Sequence, residues 1–146
     1  MAKVLVVYCT RTEQTKKIAD LIAEGIRING ADAEVVDVAK ITKAEDLRGY
    51  DGYVFGSATY HGEMMQPMKT MLFLAEKAGL EGKVGGAFGA FGWSGEAPDR
   101  IFNTMRHVLN MDVVNDALRL KSAALSGGRE MAHDYGKQIA DKVGTG

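Results

Sequence analysis

Short apolar runs alternate along the chain with longer stretches in which apolar residues return every three or four positions. The runs at 4–8, 34–38, 52–55, 84–91 and 117–120 have the length and composition of buried strands. Between the first two, Ile18, Ile22 and Ile26 stand four apart, with Lys16, Lys17, Asp20, Glu24 and Arg27 off their line. This spacing predicts a one-faced helix ending near Asn29 and Gly30. The series Met68, Met71, Leu72, Ala75, then Ile101, Met105, Val108, Leu109, then Met131, Tyr135, Ile139, Val143 predict three more helices, and 41–48 a short, weaker one. Both prolines, Pro67 and Pro98, fall near helix starts, where a missing N–H does no harm.

Five strands alternating with helices at this spacing predict a doubly wound α/β domain. The strands are parallel, joined by right-handed crossovers, and helices cover both faces of the sheet because the runs are too apolar for either side to meet water. The 146 residues fit a single domain, 1–146, with no Pro-rich or Ser-rich linker, low-complexity tract or repeat to divide it.

Composition removes several function classes. With 18 Lys plus Arg against 19 Asp plus Glu, the chain carries no field that would draw nucleic acid, a membrane surface or a polyanion. Cys9 is the only cysteine, so neither a disulfide nor a CxxC redox or zinc pair can form within the chain, and it reads as an inert buried residue. The opening MAKVLVVYCT has too short an apolar run for a membrane span and no small-residue cleavage site, which makes a strand and a cytoplasmic location the expectation.

In doubly wound sheets the ligand crevice lies beyond the carboxyl ends of the strands, where the winding reverses. The loops at 9–15, 57–64 and 89–97 are therefore the ones to read. The first, TRTEQT from 10 to 15, places Thr10, Thr12 and Thr15 at the entry to the first helix, where unpaired N–H groups and the helix dipole favour an anion. It lacks the lysine of a nucleotide-triphosphate loop, and no GxGxxG occurs, so a phosphate monoester held by neutral donors fits best. The plainer alternative is that Thr12 is an N-cap and Thr10 and Thr15 are turn residues.

The second loop, GSATYHGEM, sets Tyr60 and His61 beside Gly62. The third, FGAFGWSGEAPDR, sets Phe91 and the only tryptophan, Trp93, among glycines. Aromatic rings at the ligand end of a sheet are unfavourable in water unless they cover something flat, so a planar heterocycle bearing one phosphate would answer all three loops. Against this stand the plainer readings of Trp93 as a core or subunit-contact residue and of His61 as a solvated surface group. Met64, Met65, Met68 and Met71 fall at helical spacing and read as core and lip packing.

With TRTEQT similar to the hydroxyl-rich phosphate loop of the family, the chain resembles the flavodoxins over essentially its whole length. AFGAFGWSGEA looks most like the flavodoxin-like domain of A-type flavoproteins, the flavodiiron proteins, and DALRLK (116–121) resembles the closing strand. The resemblance implies a sheet of order 2-1-3-4-5 and FMN as cofactor. Thr10, Thr12 and Thr15, with the backbone of Arg11, Glu13 and Gln14, would bind its phosphate. Ser57 and Ala58 would lead into the ring-framing residues Thr59, Tyr60, His61 and Gly62, opposite Phe91, Gly92, Trp93 and Gly95. Glu13 stands where the family loop carries glycine, which adds a carboxylate near the phosphate.

By that resemblance the protein is an electron carrier that shuttles between redox partner proteins through a stabilised flavin semiquinone, as a monomer or weak dimer. The Gly62 peptide would turn its carbonyl toward the flavin N5–H after one-electron reduction. A net charge of only −1 implies docking that depends little on salt. The alternatives are an FMN-dependent reductase of quinones or related substrates, with His61 as proton donor, and a flavin-free interaction module in which Glu13 closes the phosphate site. A receiver domain on the same fold would need acidic residues where Tyr8, Cys9, Phe55 and Gly56 stand.

Overall fold

The computed structural model describes residues 2–10, 13–60, 63–90, 96–114, 116–120 and 127–144, with Tyr60 in its backbone only. The elements run in the order β1 (Lys3–Cys9), α1 (Gln14–Ile28), β2 (Asp32–Asp37), β3 (Gly52–Ser57), β4 (Thr59–Tyr60), β5 (Glu63–Met64), α2 (Gln66–Ala78), β6 (Val84–Ala90), α3 (Glu96–His107), β7 (Asp112–Val113), β8 (Leu118–Leu120) and α4 (Gly128–Gly144). The main sheet is parallel and ordered β2-β1-β3-β6, with β7 and β8 both alongside β6, while β4 and β5 form a separate antiparallel hairpin. The expected order holds, with two short strands sharing the fifth place.

Alternation along β1 feeds two cores. Leu5, Val7 and Cys9 face the layer of α2 and α3, whereas Val4, Val6 and Tyr8 face α1 and α4. Helix α1 buries Ile18, Ile22 and Ile26 completely, as their spacing requires, and closes at Asn29, whose side-chain amide donates to the Gly25 carbonyl at 2.7 Å. Pro67 sits in the first turn of α2. The helix ends at Gly79 with φ +74°, a left-handed cap that a Cβ would strain.

Helices α1 and α4 approach so closely that a Cβ built on Gly25 would lie 2.4 Å from the His133 carbonyl oxygen, and one on Gly136 would lie 2.3 Å from that of Ile22. Both glycines are there for the close approach.

The split of the fifth strand has a local cause. Between β7 and β8 the hydroxyl of Tyr135, from α4, accepts the Ala87 N–H at 3.0 Å and donates to the Asp116 carbonyl at 2.8 Å. A side chain thus completes the ladder of β6 where backbone pairing lapses, and burial pushes the Tyr135 phenol well above its usual range.

Several expectations need correction. In place of the 41–48 helix there is one 3-10 turn, Ala44–Leu47, preceded by another at Val38–Lys40. The Asp46 carboxylate accepts the N–H groups of Thr42 and Lys43 and the Thr42 hydroxyl, which competes with regular helix pairing. Val108 and Leu109 lie beyond α3, and Val108 is exposed. Met131 is on α4 but half-exposed, because the buried face of that helix runs through Ala132 and Gly136.

Candidate functional site

The carboxyl ends of β1, β3, β6 and β8 meet at one end of the sheet. Cys9 is in register with Ser57, Gly56 with Phe88, and Ala90 with Leu120. The Ala58 N–H donates to the Cys9 carbonyl at 3.1 Å, which joins the first and third strand ends just where their loops begin. This is the crevice end that a doubly wound sheet offers to a ligand.

At the β1–α1 junction, the hydroxyls of Thr10 and Thr15 are buried and have no hydrogen-bond partner among the described residues. Thr15 is only 1% exposed. A buried hydroxyl left unpaired costs about 1–3 kcal/mol, so two at one helix entrance mark a place suited to an acceptor that the described residues do not supply. The first turn of α1 contains no acidic residue, and the residue preceding it, Glu13, makes no capping bond through its side chain. The helix dipole therefore remains available to an anion. Glu13 has φ −75° and ψ 0°, so its backbone makes no demand for glycine, and the N-cap is Glu13 itself and not Thr12.

The neighbouring groups are electrically quiet. Burial, with Asp37 adding to it, pushes the Cys9 thiol up, so it stays neutral near pH 7 and packs with its sulfur 3.8 Å from that of Met65. Burial also raises the phenol of Tyr8.

The hairpin of β4 and β5 rises from the end of β3. Fully buried Ser57 donates its hydroxyl to the Ala58 carbonyl at 2.8 Å and accepts the Met65 N–H at 3.1 Å, so it closes the 57–65 loop from within. Thr59 accepts the Ala97 N–H at 3.1 Å and thereby caps the start of α3 from a separate segment. Glu63, opposite Tyr60 in the hairpin, accepts the Met64 N–H at 3.1 Å and pairs with Lys69 of α2 at 3.8 Å and Arg100 of α3 at 3.5 Å. Arg119 of β8 pairs with Asp99 of α3, tying the last strand to the same helix.

The structure thus brings together Thr10, Glu13, Gln14 and Thr15 at one helix entrance and Ser57, Ala58 and Thr59 beside it. The expectations for Arg11, Thr12, His61, Gly62, Phe91, Gly92, Trp93 and Gly95, and for the ring of Tyr60, lie outside the described residues. Glu63, Arg100 and the capping role of Thr59 were not legible in the sequence. A Glu next to a Gly-bearing turn, followed six residues later by Lys69, was the one available signal.

On the flank below the hairpin, α2 and α3 border an apolar groove of about 310 Å³ lined by Met64, Leu72, Phe73, Thr104 and Val108, with Phe73 strongly exposed. Among the described residues no cluster of His, Cys, Asp and Glu is placed to hold a metal ion, and no helix is long and apolar enough to cross a membrane.

Residues 5–115 match the family model described as a flavodoxin domain. The chain is 41% identical over 100 residues to the flavodoxin of Aquifex aeolicus, covering 65% of this chain and 54% of that protein. It is 30% identical over 146 residues to the type A flavoprotein fprA of Rhodobacter capsulatus, covering 95% of this chain and 33% of the relative. Its fold matches that of a flavodoxin from the domain Archaea with a TM-score of 0.91 and 31% identity, over 97% of this chain and 99% of that one. The chain therefore spans about half the length of the Aquifex relative and a third of the Rhodobacter one, but nearly all of the archaeal flavodoxin. With a parallel sheet wound in this order, unpaired threonine hydroxyls at its first helix and these matches along its length, the chain belongs to the flavodoxin family.

Proposed function

We propose that the protein is an FMN-binding electron carrier serving redox partner proteins. The observation that carries this reading is the pair of buried hydroxyls on Thr10 and Thr15 at the entrance of α1, which have no partner among the described residues. A phosphate group has the acceptor capacity that both hydroxyls lack, and it gains from the helix dipole at the same point. Thr10, Thr12 and Thr15, with the backbone of Arg11, Glu13 and Gln14, hold the phosphate. Thr59, Tyr60, His61 and Gly62, with Phe91, Gly92, Trp93 and Gly95, would frame the flavin ring. FMN, when bound, supplies a ring that takes up and releases electrons singly or in pairs.

The chain's own contribution is to bind, orient and desolvate. Neutral hydroxyls meet the phosphate without a lysine to neutralise it, and Lys16 of α1 is paired with Asp20 at 3.6 Å. With FMN bound, the ring-framing residues would shield its ring from water, and a low-dielectric surround would disfavour extra negative charge on it. With a net charge of −1, partner docking rests on shape and apolar contact more than on long-range steering, in a cytoplasmic monomer or weak dimer.

The experiment is a titration of FMN into the purified protein, followed by quenching of flavin fluorescence, repeated with Thr15→Val. Stoichiometric quenching is expected for the wild type, with affinity lowered about ten- to a hundredfold in the variant, the value of a hydrogen bond to a charged group. Absence of binding at high FMN would overturn the reading, and equal affinity in Thr15→Val would remove its main support.

A further inference from the structure

We infer that Glu63 is a positioning residue: through α2 and α3 it fixes the hairpin that carries the ring-framing residues, and so sets affinity for the flavin ring separately from affinity for its phosphate. This inference rests on the proposed FMN function. It stands on geometry at the base of the hairpin. One carboxylate, its side chain 31% exposed, meets three groups from three segments: the Met64 N–H in β5, Lys69 in α2 and Arg100 in α3. Thr59, on the other strand of the same hairpin, accepts the Ala97 N–H of α3 at 3.1 Å. The hairpin is therefore tied to α3 twice, once from each strand, and to α2 once.

Beyond those ties the hairpin is anchored to the core through Met64 of β5, whose side chain is buried. Each strand is two residues long, and an isolated two-stranded hairpin is marginal in water. Its root is secured by the two hydrogen bonds of Ser57, but these act at 57–58 and 65 and not along the strands. An isolated exposed ion pair contributes little, whereas a carboxylate shared between two cations and a backbone N–H forms a network whose parts reinforce one another. The phosphate side is carried by other elements: Thr10 and Thr15 belong to the β1–α1 junction, whereas the ion pairs of Glu63 reach α2 and α3.

Riboflavin lacks the phosphate and is uncharged, so it reports on the ring side alone. Its affinity for the wild type should fall about fivefold between low and molar salt, because salt screens Glu63 from Lys69 and Arg100, and Glu63→Gln should show the weaker affinity at every salt concentration. FMN affinity should fall by the same factor in the variant, while binding of inorganic phosphate stays unchanged.

In the flavin-free protein, amide hydrogen exchange at Ala97, whose N–H is held by Thr59 and not by Glu63, should quicken about fivefold in Glu63→Gln, because loosening the hairpin frees Thr59 from α3. The inference is overturned if Ala97 exchange is unchanged, if the variant retains the salt dependence of the wild type, or if FMN weakens while riboflavin does not. A wild type that takes up neither flavin refutes the proposed function, and the exchange result still decides whether Glu63 holds the hairpin.

Discussion

The two helical layers of this protein are packed by different rules. On one face of the sheet α1 and α4 meet nearly backbone to backbone through Gly25 and Gly136, and α4 sends Tyr135 into the sheet to finish the ladder of β6. On the other face α2 and α3 stand apart around a groove, leave Phe73 and Val108 in water, and are bridged at the top by the charged base of the hairpin. The first layer has no slack and serves as the foundation. The second carries the parts of the site that are held by polar ties, which can be tuned without unfolding the domain.

The difference is tested most severely at Gly25. A methyl group there meets a carbonyl oxygen of α4 with no flexible side chain to yield, so Gly25→Ala should cost about 3 kcal/mol in urea unfolding. A loss below about 1 kcal/mol would mean that the two helices can part freely, and the contrast between layers would fail.

Tyr135→Phe comes next. It leaves the Ala87 N–H and the Asp116 carbonyl without their shared partner, and a loss of about 2 kcal/mol is expected, read from the same unfolding curves.

The same residue gives a pH signature. Its phenol is held above the ordinary value of 10.0, chiefly by burial, so the folded protein keeps a proton that the unfolded chain releases. Stability from this group is complete below pH 10 and declines as the pH rises above it. Tyr135→Phe should make that alkaline decline shallower, leaving the part that comes from Tyr50, whose phenol is raised to about 12 by burial and its bond to Glu34, and from Tyr8 and Tyr53, both raised chiefly by burial. An alkaline limb identical in wild type and Tyr135→Phe would show that the raised phenol is not what drives it.

The smallest effect belongs to the open layer. Phe73→Ser removes an exposed ring that the core does not use, and stability should stay within about 0.5 kcal/mol of wild type by thermal or urea unfolding. A large loss would show that the groove is part of the core after all.

Much of the architecture could be read from neighbouring residues in the chain. Ile18, Ile22 and Ile26 form the fully buried stripe of α1, the apolar runs became β1, β2, β3, β6 and β8, and Pro67 sits in the first turn of α2 as anticipated. The threonines of the β1–α1 junction were legible too, because a cluster of hydroxyls just before a helix is a local pattern. Periodicity went astray where it ran past an element's end, as at Val108, or where a neighbouring helix chose the buried face, as at Met131.

What the order of residues settles here is whatever depends on spacing within a few turns: strand against helix, the winding of the sheet, the place of the hydroxyl-bearing junction before α1, and the absence of an internal disulfide. Long-range closure settles the rest. Tyr135 meets Ala87 across 48 positions, Thr59 caps a helix that begins 37 residues later at Glu96, and Glu63 finds Arg100 across the hairpin and a full crossover. Such pairs leave no periodic trace, because their partners are chosen by which surfaces the packed core brings within hydrogen-bond reach, and that is a property of the folded chain as a whole.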